Sequence, residues 1–111
     1  MLDGLTANLE RYMDLLASRQ KLVASNIANA DTPGYQTQDI DFQFEFASLV
    51  QGQQPQTIAA AGLPQKSDGN NVNLDREARM LAENDMRFNV ASTLLRSRLK
   101  TVQTAIQGGG S

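Results

Sequence analysis

Apolar residues in the first third of the chain recur at alternating steps of three and four. The row comprises Leu2, Leu5, Leu9, Tyr12 and Leu16, and it resumes at Val23 and Ala30 after Arg19 interrupts it. In an α-helix this spacing aligns side chains along one side, as in the seam of a coiled coil. The pattern therefore predicts a long N-terminal helix within residues 1–30.

A longer row of the same kind occupies the last third of the chain. Its positions are Leu74, Ala78, Leu81, Asp85, Phe88, Ser92, Leu95, Leu99, Val102 and Ile106. Seven-residue periodicity sustained over this length predicts a second long helix, within residues 72–107, with its own seam.

The ends of this second helix also carry recognisable signals. Asn73 is a plausible N-cap, and Asp75 and Glu77 fall in the first turn, where the helix dipole favours negative charge. At the other end the helix is expected to stop at Gly108-Gly109-Gly110. The basic residues expected to complement its carbonyl end are Arg96, Arg98 and Lys100.

A second apolar stripe on the same helix bears on function. Met86, Val90 and Leu94 follow each other at four-residue steps beside the main seam. Two interpretations stay open: one wide stripe that faces an intramolecular partner, or a helix packed among several neighbours.

The middle of the chain carries mixed signals. Asp39–Phe46 alternates strictly between polar and apolar residues, which is typical of a strand. A short helix competes, because Phe42, Phe46, Leu49 and Val50 share one helical face, with Asp41 as a possible N-cap. Residues 51–71 are rich in Gln, Gly, Pro, Ala and Asn, and they favour an extended or mobile connector.

The N-terminal helix is followed by a turn with a specific sequence. Asn29 and Asp31 are poor helix continuers, Pro33 disfavours helix at Thr32, and Pro33-Gly34 suits the centre of a type II turn. The full segment reads Asn-x-Ala-Asn-x-x-Thr-Pro-Gly-Tyr, formed by Asn26, Ala28, Asn29, Thr32, Pro33, Gly34 and Tyr35. This segment resembles the signature of bacterial flagellar rod and hook axial proteins.

A second block supports the same resemblance. Residues 68–77, Asp-Gly-Asn-Asn-Val-Asn-Leu-Asp-Arg-Glu, and residues 81–84, Leu-Ala-Glu-Asn, are similar to the C-terminal half of a proximal rod protein. The resemblance covers residues 1–42 and 68–107, while residues 43–66 match nothing in the family and are short for its central insert.

The resemblance implies an all-α fold in a single domain of residues 1–111. The two terminal helices would pair as a coiled-coil-like hairpin, joined by a turn and connector over 31–71 and followed by a tail at 108–111. The residues expected to pack in the inner layer of the rod are Leu5, Leu9, Leu16, Val23, Leu81, Phe88, Leu95, Leu99 and Val102. The signature residues would fix the turn and contact neighbouring subunits.

Composition narrows the chemistry that this chain of 111 residues can perform. It contains no histidine and no cysteine, so the common general bases, thiol nucleophiles and zinc sites are largely unavailable. Asp39 with Asp41, or Glu83 with Asp85, would need a third ligand to hold a metal, and Lys66-Ser67 lacks the order of a phosphate-binding loop. We expect a protein that is not an enzyme and has no cofactor.

Charge and hydropathy exclude further classes of partner. The formal net charge is −2, which gives no electrostatic footprint for nucleic acid or for direct lipid binding. No run of about 18 apolar residues predicts a membrane-spanning helix, and residues 1–13 do not have the pattern of a cleavable secretory signal.

For function, the resemblance implies a structural subunit of the flagellar basal-body rod, exported through the flagellar type III apparatus without cleavage of a signal peptide. Its partners would be itself, other rod proteins, the rod-adapter protein, the export gate and the inner-membrane ring. Two alternatives are the related proximal rod protein FlgC and a cytoplasmic coiled-coil export chaperone or adaptor that clamps a client helix.

Overall fold

Two long antiparallel helices dominate the structure. The computed structural model describes residues 4–48 and 54–108, in the order α1 (Gly4–Ala28), β1 (Gln38–Ile40), α2 (Phe42–Ala47), β2 (Thr57–Ala59) and α3 (Leu74–Gly108). The molecule measures 70 × 26 × 18 Å, so it is an elongated hairpin. The predicted all-α hairpin is therefore confirmed, with a small two-stranded sheet added. Leu2, Leu49, Val50, Gly109 and Gly110, which the sequence patterns include, lie outside the described residues.

The middle segment divides between the two structures that its alternating pattern allowed. Residues Gln38–Ile40 form a strand that pairs antiparallel with Thr57–Ala59, with Gln38 opposite Ala59 and Ile40 opposite Thr57. The chain then turns into α2 at Asp41, whose carboxylate accepts a hydrogen bond from the Phe44 N–H at 3.1 Å. The short helix and its N-cap are thus confirmed, whereas the strand in the connector was not predicted.

The two ends of α3 differ in how well they follow the sequence signals. Asn73 caps the helix, because its side-chain oxygen accepts from the Arg76 N–H at 3.0 Å. The expectation for the other end is wrong: the last turn contains no basic residue. The helix continues to Gly108, about two turns beyond Lys100, so Arg96, Arg98 and Lys100 are too far from the last carbonyls to complement them.

The core is small and lies where α1 crosses α3 and β1. Its apolar members are Leu15, Leu16, Val23, Ile40, Val72 and Ala91. Slightly more of the buried residues are polar: Thr6, Asn26, Thr37, Asn70, Asn71, Glu77 and Asn84. Because a buried polar group is costly without a partner, the hydrogen bonds of these side chains decide how the two helices join.

Candidate functional site

Asn26, in the last turns of α1, is fully buried and uses all of its hydrogen-bonding capacity. Its amide nitrogen donates to the Gln38 carbonyl at 2.9 Å and to Glu77 Oε1 at 2.8 Å. Its side-chain oxygen accepts from the Tyr35 hydroxyl at 2.9 Å and from the Gln38 N–H at 3.0 Å. One side chain therefore connects α1 to the turn, to β1 and to the start of α3.

Glu77 extends this connection into a chain of charged groups. Its carboxylate is fully buried, and Oε2 accepts from Arg76 at 2.6 Å. Arg76 also pairs with Asp39 at 2.7 Å, and Asp39 pairs with Arg19 of α1 at 3.0 Å. Burial lowers the pKa of Arg76, but the hydrogen bonds and charges of Glu77 and Asp39 outweigh it and raise that pKa overall. The guanidinium is thus a fixed positive charge, which balances two carboxylates taken out of water.

The turn after α1 has the predicted geometry. The Tyr35 N–H donates to the Thr32 carbonyl at 3.2 Å, and Gly34 has φ +76°, which places Pro33-Gly34 at the centre of a type II turn. Asn29 closes the end of α1, since its amide donates to the Ser25 carbonyl at 2.8 Å and its oxygen accepts from the Thr32 hydroxyl at 3.0 Å.

The second sequence block, which begins at Asp68, holds this turn through hydrogen bonds. Asn70 is fully buried, and its amide donates to the carbonyls of Asn29 and Thr32, both at 2.8 Å. Asn71 accepts the Thr37 N–H on its side-chain oxygen at 2.6 Å and accepts the Thr37 hydroxyl on its carbonyl at 3.2 Å. The two motifs are far apart in sequence, and here their backbones are satisfied by each other's side chains.

The backbones also approach closely. The Gly34 N–H donates to the Asp68 carbonyl at 2.9 Å, and a Cβ on Gly69 would stand 3.4 Å from the Gly34 Cα. Gly69 has φ +84°, a conformation that side chains other than glycine rarely adopt. We call the whole arrangement the polar clasp; it consists of Asn26, Asn29, Thr32, Gly34, Tyr35, Thr37, Gly69, Asn70, Asn71 and Glu77.

The signature residues divide between the inside of the clasp and its surface. Asn26 is buried and Asn29 and Tyr35 are half-buried, whereas Ala28, Thr32, Pro33 and Gly34 are exposed. The half facing inward fixes the turn against α3. The exposed half lies at the surface of the subunit, and its contact with neighbouring subunits, which the resemblance implies, stays a prediction.

Along the hairpin, the side of α3 that meets α1 is partly polar. Glu77, Asn84 and Ala91 are buried at seven-residue spacing, and the Asn84 amide donates to the Leu16 carbonyl at 2.6 Å. The hydrophobic pattern did not single out this row, because two of its three members are polar. The seven-residue interval between Glu77, Asn84 and Ala91 is the signal that could have found it.

The residues expected to pack have unequal exposure in the single subunit. On α1, Leu16 and Val23 are buried, Leu9 is half-buried and Leu5 is 54% exposed. On α3, Leu81, Leu95 and Val102 are half-buried, while Phe88 and Leu99 are 38% and 42% exposed. The α3 seam is thus only partly covered by α1, and half-buried and exposed positions are interspersed along it.

Nothing in the described ranges 4–48 and 54–108 has the donor set of a metal centre, since no group of three or more acidic side chains converges there. Of the carboxylates weighed as metal ligands, Asp39 is engaged by two arginines and Glu83 pairs with Arg87 at 2.7 Å. None of the helices within these ranges is long and apolar enough to cross a membrane. The clasp is built to hold elements together.

Comparison with known proteins agrees with the sequence signature. The family model described as flagella basal body rod protein matches residues 13–36. The flagellar basal body rod protein FlgB of Salmonella typhimurium is 34% identical, with 98% of this chain and 99% of the relative covered. The FlgB proteins of Escherichia coli and Bacillus subtilis are 32% and 25% identical, each with 98% of this chain covered.

The matched family segment contains the buried half of the clasp on α1, and the full-length similarity includes its partners on α3. The chain belongs to the family of FlgB-type flagellar basal body rod proteins.

Proposed function

We propose that this protein is a structural subunit of the proximal flagellar rod, which associates with copies of itself and with other rod proteins in a helical tube and transmits motor torque. Its role would be non-catalytic. The observation that carries the proposal is the open seam: α3 presents seam residues that α1 does not cover, namely Leu74, Phe88, Leu99 and Ile106. Family membership supplies the setting, and the open seam supplies the means of assembly.

Exposed seam residues occur along the whole length of α3. Leu74 is 57% exposed, Leu99 42% and Ile106 73%, and Phe88 is 38% exposed. Apolar side chains exposed along one side of a helix are costly in water and are typical of a surface that another helix covers. In the rod, we propose that the inner-layer helices of neighbouring subunits cover it.

A second exposed stripe lies on the other side of the α1 contact. Met86, Val90 and Leu94 are 60%, 55% and 53% exposed, and with Leu9 and Tyr12 they line a shallow apolar groove. Two unlike apolar faces on one subunit suit heterologous contacts, which generate helical filaments instead of closed dimers. This favours the interpretation of a helix packed among several neighbours.

The clasp gives a rigid joint at one end of the hairpin. Torque applied to a rod must pass through side chains that cannot rearrange, and fully satisfied buried hydrogen bonds resist rearrangement. Asn26 and Asn70 each tie together segments distant in sequence, so a load on α1 would be shared with α3 and with the turn.

Other parts of the proposal rest on the family. The rod-adapter protein, the export gate and the inner-membrane ring are the proposed neighbours, and the basal body is the proposed location, reached without cleavage of a signal peptide. Neither nucleic acid nor direct lipid contact is part of the proposal. The FlgC alternative is disfavoured because the three relatives described above, each of which matches 98% of this chain, are FlgB proteins.

The test is complementation of a non-motile strain that lacks its proximal rod protein, with labelled subunit imaged in purified basal bodies. Restored swimming with label at the base of the rod supports the proposal. Retention of a stable soluble dimer in the cytoplasm would instead favour an export chaperone or adaptor.

A matched pair of variants tests the open seam itself. Leu99→Glu places a charge among the exposed seam residues, and Ser97→Glu places the same charge two residues earlier, at an exposed polar position on the opposite side of the helix. We expect Leu99→Glu to abolish swimming and Ser97→Glu to preserve it, with helical content unchanged in both purified proteins. Equal swimming of the two variants would remove the seam from the proposal.

A further inference from the structure

Charge is distributed unevenly along the hairpin. After Asp85 the sequence contains no acidic residue, and its basic residues there are Arg87, Arg96, Arg98 and Lys100. At the clasp end the exposed charged residues are Asp31, Asp68 and Asp75, with Lys66 and Arg79. The far end of α3 is therefore positive, and acidic residues outnumber basic ones on the surface of the clasp end.

Part of the charge at the clasp end is already used inside the subunit. Asp39 is held by Arg19 and Arg76, whereas Asp31 and Asp75 are exposed. Of the basic residues near them, Lys66 donates to the Ala30 carbonyl at 2.9 Å. Asp31 and Asp75 thus mark an acidic surface where α1 ends and α3 begins.

The positive end of α3 extends past α1. Asn84 contacts Leu16 and Arg87 contacts Tyr12, which fixes the antiparallel register of the two helices. Continued toward the start of α1, this register brings Gly4 opposite about residue 96. The distal segment, residues 96–108, therefore projects about 20 Å beyond the described part of α1.

Both ends carry exposed apolar side chains next to their charges. The distal segment exposes Leu99 and Ile106 beside Arg96 and Lys100. The clasp end exposes Ile27 and Leu74, which are 40% and 57% accessible, near Asp31 and Asp75. The two ends thus have the same kind of apolar surface and opposite charge.

We propose that the distal segment of one subunit docks on the clasp end of a second copy of this chain, so that subunits stack head to tail. Leu99 and Ile106 would cover Ile27 and Leu74 of the next copy, and Arg96 and Lys100 would face its Asp31 and Asp75. This rests on the proposed self-association and adds the identity and polarity of one contact.

Charge selects this arrangement over its alternatives. Two distal segments brought together would juxtapose like charges, as would two clasp ends, and like-charge juxtaposition suppresses a wrong partner. Pairing of unlike ends repeats without closing, which is the geometry of a filament.

The natural absence of cysteine allows a direct test by disulfide capture. Two single-cysteine variants, Ala78→Cys at the clasp end and Gln103→Cys in the distal segment, replace exposed residues near the proposed contact. One carries a size tag, and the two are mixed and oxidised at low salt. Random pairing of equal amounts would give twice as much mixed disulfide as either homodimer. We expect the mixed disulfide to exceed this twofold ratio and to decline as salt is raised.

Charge exchange then identifies the pairing. Arg96→Glu with Lys100→Glu in the distal-segment variant should lower the mixed product about fivefold. Asp31→Lys with Asp75→Lys in the partner variant should restore it. Lys21→Glu, an exposed charge reversal midway along α1, is the control and should leave the yield unchanged.

The proposal is overturned if the mixed product is no more than twice either homodimer, or if the reversed charges neither lower nor restore its yield. Circular dichroism of each variant identifies loss of yield through unfolding, and a folded variant set with no mixed product also overturns it. Because capture needs no flagellum, this failure is distinguishable from failed complementation, which bears on the rod assignment itself.

Discussion

Replacement of Asn26 by aspartate tests the clasp with a single change of nearly identical shape. The asparagine amide donates to Glu77 Oε1 at 2.8 Å and to the Gln38 carbonyl at 2.9 Å. In Asn26→Asp both donors become acceptors, and a second carboxylate is forced against the buried Glu77. The two bonds that Asn26 accepts, from Tyr35 and Gln38, are unaffected.

The expected loss of stability follows from the two buried acceptors that lose their donor, the Gln38 carbonyl and Glu77 Oε1. Each buried acceptor that loses its donor costs about 1–3 kcal/mol, and the two facing carboxylates add repulsion. We therefore expect the free energy of unfolding of Asn26→Asp to fall by about 4 kcal/mol, a large part of the ~5–15 kcal/mol typical of a domain. With a urea slope of about 2 kcal/mol per M, the unfolding midpoint should drop by roughly 2 M.

Asn29→Asp is the matched control, since it makes the same chemical change three residues along. The Asn29 amide donates to a single carbonyl, that of Ser25, in an exposed setting where water can replace it. Together with an unfavourable charge at the end of α1, the loss should be about 1 kcal/mol. The urea midpoints of both variants are measured by circular dichroism. Equal midpoints would refute the claim that the clasp joins the two helices.

Lowering the pH should distinguish an electrostatic from a steric cause of the stability loss in Asn26→Asp. One proton shared between the two facing carboxylates restores a hydrogen bond, so the folded variant binds a proton that the unfolded chain does not. Stability rises with falling pH wherever the folded state binds more protons. The deficit of Asn26→Asp relative to the unsubstituted protein should therefore shrink as pH is lowered from 8 toward about 5; a constant deficit would indicate misfit of shape.

Three further substitutions test other elements. Leu95→Pro removes a hydrogen bond in the interior of α3 and should cost about 3 kcal/mol or more and abolish swimming in soft agar; normal swimming would contradict the role of this helix. Gly69→Ala forces a Cβ into φ +84° and to 3.4 Å from Gly34, so its urea midpoint should fall by an amount equivalent to about 1–2 kcal/mol. Asp41→Ala removes the cap on the Phe44 N–H and should lower the free energy of unfolding by about 1 kcal/mol. Hydrogen exchange at the Phe44 amide that is slower than in the unsubstituted protein would contradict this prediction.

The elements that the sequence predicted well are those with long or chemically unambiguous signals. Both long helices follow from heptad spacing, and the turn follows from Pro33-Gly34, because proline and glycine restrict the backbone in complementary ways. The caps at Asp41 and Asn73 follow from side-chain chemistry that acts within three residues. In each case the cause is local, so neighbouring residues are sufficient evidence.

The elements that the sequence did not predict depend on distant partners. A strand as short as Thr57–Ala59 has no measurable periodicity, and it forms because Gln38–Ile40 lies beside it. Glu77 and Asn84 are buried because Asn26 and the Leu16 carbonyl satisfy them, which no count of apolar residues reveals. The role of the α3 seam in packing against neighbouring subunits stays a prediction, because α1 covers only part of it.

The clasp residues fix the joint between α1 and α3, whereas the connector between the two helices can vary in length. The alignment with the Salmonella relative extends over 137 positions, more than the 111 residues of this chain, so that protein carries residues that this one lacks. Asn26, Asn70 and Glu77 join the two helices directly, and the residues between β1 and Lys66 contribute little to that joint. Because doubling the length of a flexible loop costs only about 0.6 kcal/mol, the connector can lengthen while the clasp holds the hairpin. We therefore expect a Gly-Ser insertion after Gln54 to leave the urea midpoint nearly unchanged and to preserve swimming. The same insertion after Thr32 should lower the urea midpoint and abolish swimming, because it separates the turn from Asn70.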